Sequence, residues 1–178
     1  PYAAVQFIKE DSMGDEFAGE IESMYWGVKA GAKAGNFNAY VAYSQTDEND
    51  ASDIDSANDK IGQANAIITP WGGMPAYTQG MVTRHQFLAG TSATKVAASY
   101  NFKDLGANVS GAAYHAIFDM DENSGYSVER TAKESGFDIK YYPEAVKNLQ
   151  LRLRGNFPTD YADGRDWDEY RFIANYNF

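Results

Sequence analysis

Residues 167–178, WDEYRFIANYNF, place Tyr170, Phe172, Ala174, Tyr176 and Phe178 in one apolar, aromatic row. Glu169, Arg171, Asn175 and Asn177 form the other row, with Ile173 its one apolar member. A period of two is the period of a strand, whose alternate side chains point to opposite faces. A soluble sandwich strand shows the same alternation. An aromatic last residue on the apolar row fits a membrane barrel, whose strands meet lipid on one side and water on the other.

The same pattern recurs upstream. LQLRLRGNF (149–157) sets Leu149, Leu151, Leu153 and Phe157 against Gln150, Arg152, Arg154 and Asn156. Phe137, Ile139 and Tyr141 alternate with Asp138, Lys140 and Tyr142 before Pro143 closes the strand. In TKVAASYNF (94–102) the row Thr94, Val96, Ala98, Tyr100, Phe102 faces away from Lys95, Ala97, Ser99 and Asn101. Residues 23–32 and 37–43 flank the tight turn Gly35-Asn36 and form the clearest hairpin. Residues 2–8 are a further strand. Residues 108–118 are one as well, but its faces stay open, since Val109 and Ile117 compete with Tyr114 and Phe118.

The connections between these strands follow a rule. In chain order they run long (9–22), short (32–36), long (44–93), short (103–107), long (119–135), short (143–148) and long (158–167). Such alternation is expected of a barrel with short periplasmic turns and long extracellular loops. The expected fold is therefore all-β, an antiparallel transmembrane β-barrel over residues 1–178 with about eight strands. An even strand count puts both chain ends on the periplasmic side of an outer membrane. A long segment such as 44–93, broken by Pro70, Gly72, Gly73 and Pro75, sits poorly in a compact soluble domain.

Composition agrees. Aromatics make up 15%, with 13 Tyr, which suits strands and interfacial belts. No run of 18 apolar residues offers a helical span, and a mean hydropathy of −0.52 is compatible with alternating strands. The absence of cysteine excludes disulfides and thiolate chemistry. The net charge of −10 disfavours nucleic acid as a partner. Opening on Pro1 without a leader, the chain reads as mature or partial.

Charge is sorted along the chain. Every acidic residue except Asp104, Asp138 and Glu144 falls in a long connection or at a strand end beside one. Six basic residues, Lys29, Lys95, Lys140, Arg152, Arg154 and Arg171, fall within strands opposite the apolar row. A charge on the lipid face near mid-membrane costs several kcal/mol, so these six are expected to point inward and line a pore. The competing reading makes them the solvated face of a soluble sheet. Asp47, Asp50, Asp53 and Asp55 carry the oxygen ligands that Ca2+ prefers, without EF-hand spacing. An acidic surface bridged by divalent ions to lipopolysaccharide is the plainer reading of that run.

Two segments carry a family resemblance: ITPWGGMPAYTQGMVTRHQFLAGTSATKVAASYNFKDLG (67–106) and NLQLRLRGNFPTDYADGRDWDEYRFIANYNF (148–178). The first holds the K-x-x-A-x-Y-x-F-K-D-L-G pattern, the second the L-x-L-R-L-R strand, short acidic loop and terminal strand of a last hairpin. Together they resemble the C-terminal half of OprD-like outer-membrane porins, with the closest likeness to the campylobacterial major outer-membrane porin. The resemblance implies the C-terminal part of a 16–18-stranded barrel that associates as a homotrimer. It places the inward-folded constriction loop in the earlier half of the family's chain. It carries the family's basic pore ladder over to Arg152 and Arg154, with Arg171 beside them.

The implied function is a general diffusion porin passing small hydrophilic solutes and ions through a water-filled lumen, surrounded by outer-membrane lipid and lipopolysaccharide. The alternative is a small closed eight-stranded barrel, its interior filled by side chains, with a structural or adhesive role. Arg152 and Arg154 project from one face about 7 Å apart, a spacing suited to carboxylates or to salt bridges with acidic loops. Arg84 and His85 are candidates to dip into the lumen. No enzyme is expected: only His85 and His115 offer imidazole bases, and Ser110 lies five residues from His115, on the opposite face of a flat strand.

Overall fold

A computed structural model describes residues 1–14, 21–49, 65–68, 75–124, 129–162 and 165–177. Eight strands form one antiparallel sheet in simple meander order. They are β1 (Tyr2–Asp11), β2 (Glu22–Ala34), β3 (Phe37–Thr46), β4 (Ser92–Asn101), β5 (Val109–Met120), β6 (Arg130–Tyr141), β7 (Leu149–Thr159) and β8 (Glu169–Tyr176). Each pairs with the next in sequence, as short-range antiparallel hairpins allow. Among the described residues β1 pairs only with β2, and β8 only with β7. The sheet is open, unlike the closed eight-stranded barrel held as the alternative. Short turns lie at one end. Gly35 turns β2 into β3 with φ of 56°, a left-handed conformation that suits glycine. A 3-10 turn at Phe102–Leu105 leads to β5, with the Asn101 side chain accepting from Lys103 N–H.

The paired register fixes two faces. Outward stand Val5, Val28, Val41, Val96, Ile139, Leu153 and Phe172, large apolar side chains left exposed; Val5 and Phe172 remain 81% and 73% accessible. Aromatic groups bracket this band. Trp26 and Tyr43 (ring centroids 5.5 Å apart) and Phe157 and Tyr170 (5.6 Å) lie near the long connections. Tyr100 and Phe102 (4.9 Å) lie near the short turns, together with Phe37, Tyr141 and Tyr176. A soluble sheet does not leave so much contiguous apolar surface bare. This polarity, greasy outside and polar inside, is that of a transmembrane barrel wall.

One local reading changes and two points the sequence left open settle. β6 begins at Arg130, so residues 130–135, expected to continue a polar loop, are strand. The open question in β5 resolves with Val109 and Ile117 outward, and with Tyr114 and Phe118 on the inner face beside Lys95, Ala97 and Glu134. Finally, the long connection between β3 and β4, which carries Arg84 and His85, folds back onto the sheet. Its described parts lie against the inner face.

The apolar core lies between that connection and the wall. Tyr25, Ile67 and Phe87 form one cluster, with Tyr25 and Phe87 edge to face at 5.3 Å and Ile8 and Ala76 packed beside them. Ala93, Ala116, Phe118, Met120 and Ala132 form the other, with Leu88 against them.

Candidate functional site

The inner face carries the chemistry. Cross-strand pairing puts Lys29 opposite Ala42, Lys95 opposite Ala42 and Ala116, Lys140 opposite Arg152, and Arg154 between Asp138 and Arg171. All six basic residues singled out by alternation thus share one face. They do not share one environment. Arg152 forms a two-pronged pair with Asp138, Nε to Oδ1 at 2.7 Å with Nη2 on the other oxygen. Arg171 pairs with Glu169. Lys29 has its ammonium 4.4 Å from the Tyr77 ring centroid, 5.5 Å from Tyr40 and 6.0 Å from Tyr2, a cation held by three ring faces. Lys95 donates to the Gln79 carbonyl at 2.6 Å and lies over Tyr114 at 4.5 Å. Arg154 differs: its buried Nε has no hydrogen-bond partner among the described residues.

Over this face runs a strap made of residues 75–91. Its contacts climb in the order of the strands. At β1 Gln6 donates to the Pro75 carbonyl at 2.6 Å, and Tyr77 Oη donates to the Val5 carbonyl at 3.3 Å. At β2 stands Lys29 under Tyr77. At β3 the Ser44 and Thr78 hydroxyls meet at 2.7 Å. At β4 Lys95 holds Gln79, and at β5 Tyr114 Oη accepts from Met81 N–H at 3.1 Å. At β6 the Glu134 carboxylate accepts from Met81 N–H, from Val82 N–H at 3.3 Å to each oxygen, and from Thr83 N–H at 2.7 Å; the Tyr114 hydroxyl donates to it as well. Glu134 is fully buried. Three successive amides supply what a desolvated carboxylate needs.

The strap then returns. His85–Phe87 make a 3-10 turn, the Thr46 hydroxyl donates to the Gln86 carbonyl at 2.6 Å, and Ile67 N–H bonds Phe87 O at 2.9 Å. His85 is buried, 4.7 Å from Tyr161 and 6.1 Å from Phe118 between ring centroids. Burial pushes its imidazole down to about 4, with Arg130 adding to the effect and Glu134 opposing it. Arg84 beside it is exposed.

Between strap and wall lies a groove of about 380 Å³ lined by Tyr40, Gln79, Met81, Lys95, Tyr114, Asp138 and Arg154. It continues toward the short turns in a second space of about 450 Å³ past Asn38, Ser99, Ser110 and Lys140. The first mixes polar and apolar lining, the second is the more polar, and both carry more basic than acidic side chains.

The remaining candidates do not assemble. Asp50, Asp53 and Asp55 lie outside the described residues. Asp47 is described; burial raises its carboxyl, and its backbone bonds Met24 and Gly90. Among the described residues no three acidic or imidazole groups converge as a metal site. His115 faces outward, its Nδ1 2.8 Å from Ser135 Oγ, whereas Ser110 faces inward opposite Lys140. Ser110 and His115, the pair weighed from the sequence, therefore do not meet.

An exposed apolar outer face, a charged inner face and a strap folded onto it define the wall of a porin-type β-barrel. Solved structures carry the same fold. Pseudomonas aeruginosa OccK10 (OpdN) superposes with a TM-score of 0.76 at 16% identity, over 99% of this chain and 47% of its own. OccK5 (OpdH) of the same species gives 0.78 at 18%, over 98% and 44%. A BenF-like porin from Pseudomonas fluorescens Pf-5 gives 0.72 at 18%, over 98% and 42%. The chain spans a little under half the length of these proteins. No protein-family model matches the sequence, and no curated protein matches it. The expected likeness to OprD-type porins is thus met in the fold. The campylobacterial likeness remains an expectation from the sequence.

Sequence reasoning missed Glu134 and, beyond Arg84 and His85 as candidates to dip inward, the strap. The proline- and glycine-rich run 67–80 was the signal for irregular chain, and nothing in it told inward from outward.

Proposed function

We propose that this chain forms part of the wall of an outer-membrane diffusion channel that passes small hydrophilic solutes and ions through a water-filled lumen. The observation that carries this reading is the inner face itself: polar and charged side chains line a groove that stays open beneath the strap. In a low-dielectric wall, fixed charges facing each other across such a groove orient and select solutes. Lys140 and Arg154 make no ion pair among the described residues, so the reading extends to a preference for small anions, carboxylates included. An OpdK structure from Pseudomonas aeruginosa was solved with vanillate, which supports carboxylates as solutes for this architecture.

Lipid surrounds the outer band in this reading, lipopolysaccharide meets the long connections on the extracellular side, and the short turns and both ends of this chain face the periplasm. Association is as a homotrimer, and no chemical step is catalysed. Planar-bilayer recording of the full-length protein tests the channel: stepwise conductance in KCl supports it, and an electrically silent protein that nevertheless migrates as a folded, heat-modifiable barrel sinks it.

A further inference from the structure

The strap is tied unevenly. From β1 to β3 single neutral hydrogen bonds and the Lys29 ring contacts hold it, and β4 adds the Lys95 bond to Gln79. Its tip, residues 81–83, hangs on one linked pair of groups: among the described residues, the hydrogen bonds from its amides to the wall go to the Glu134 carboxylate or to the Tyr114 hydroxyl bonded to that carboxylate. The strap side of the groove, opposite Arg154 and Asp138, is Met81 of the tip and the two residues that lead into it, Gln79 and Gly80.

We propose that Glu134 is the positioning residue that sets the free cross-section of the channel, by latching the strap tip onto β5 and β6. This rests on the channel reading above. A carboxylate is required, because three N–H groups and one O–H converge on two oxygens. A carboxamide keeps one acceptor oxygen and turns an NH2 toward the amides of Val82 and Thr83, setting donor against donor. Replacing Glu134 therefore leaves the tip only the bond from Met81 N–H to the Tyr114 hydroxyl, while the anchors at β1 to β4 and at Gln86 and Phe87 stay in place. The tip then swings from the wall, and the groove beside Arg154 widens and fluctuates.

The chain holds no cysteine, so one introduced thiol is a clean reporter. Thr83 is buried and its hydroxyl has no hydrogen-bond partner among the described residues, which makes Thr83→Cys a mild change. In the full-length protein, this thiol should react slowly with a water-soluble methanethiosulfonate. Adding Glu134→Gln should speed the reaction about tenfold, the factor that about 1.4 kcal/mol of lost attachment gives. Tyr114→Phe, which keeps the carboxylate and removes one of its donors, should move the rate in the same direction by less. In bilayers Glu134→Gln should raise the mean conductance and the open-channel noise. Unchanged labelling overturns the latch. Faster labelling with unchanged conductance overturns its role in setting the cross-section. A silent wild-type protein overturns the channel reading instead, and the labelling experiment still reports on the latch.

Discussion

Gly80 and Glu134 stand so close that a Cβ built on the glycine would lie 2.5 Å from one carboxylate oxygen and 2.7 Å from the carboxyl carbon. The approach brings the strap backbone within reach of a fully buried acid, fifty-four positions away in sequence and on the sixth strand. Gly80→Ala should force the two apart and lengthen the bonds from Met81 and Thr83. We expect a loss of about 1–3 kcal/mol in the local attachment of the strap. The check is the labelling rate of the thiol introduced by Thr83→Cys, measured with Gly80→Ala added. An unchanged rate would mean that the wall yields instead.

His85 gives the strap a pH dependence. Its imidazole is held near 4 in the folded protein against about 6.5 in an unfolded chain, so the neutral form is the one that packs. The stability tied to His85 is complete above pH 6.5 and falls away as pH drops through 4. The ceiling is about 3 kcal/mol over that window. Thermal melts at pH 7.5 and pH 4 should show a larger drop for wild type than for His85→Phe, which keeps the stacking against Tyr161 and Phe118 without the proton. Equal drops would remove His85 from the account.

Two inner-face arginines should behave oppositely on stability. Arg152→Ala strands the half-buried Asp138 carboxylate and should cost about 1–3 kcal/mol. Arg154→Ala removes a guanidinium without an ion-pair partner among the described residues and should leave the melting temperature nearly unchanged. Each change removes one positive charge from the inner face, so both should shift the reversal potential in a KCl gradient toward cations. An Arg154→Ala protein with unaltered selectivity would mean that the arginine does not face the permeating solution.

The face assignment can be tested on neighbouring strands. Val41→Lys places a charge in the outward band and should cost about 2–4 kcal/mol of insertion. Ser99→Lys, on the inner face of β4, should fold normally. Heat-modifiable migration after refolding into vesicles reads both, and equal yields would show that the outward face does not meet lipid.

How much of this was legible in the sequence depends on which side of each strand carries the apolar row. Leu149, Leu151 and Leu153 announce β7 outright. The first half of β6 is different: Thr131, Lys133 and Ser135 face out, Ala132, Glu134 and Gly136 face in, and neither row is apolar. That half lies toward the long connections, beyond the greasy band, so the period of two leaves no hydropathy trace. Glu134 therefore looked like one more loop acid. The strap was hidden for another reason. Its tip is held through backbone N–H groups, which every residue but proline possesses, and their partners lie on strands far away in sequence. What residue types alone did convey was the row of six inward cations, because a charge facing lipid is costly near the middle of the membrane.

The order of the strap's contacts makes its seating depend on the whole span of sheet beneath it. Each tie between Pro75 and Thr83 needs its own strand of the sheet, and the last needs β6, some fifty residues further along the chain. Whatever the order in which the hairpins join, the strap seats fully only where six neighbouring strands stand together: a sheet that lacks its sixth strand has a doorway and nothing to hang the door on.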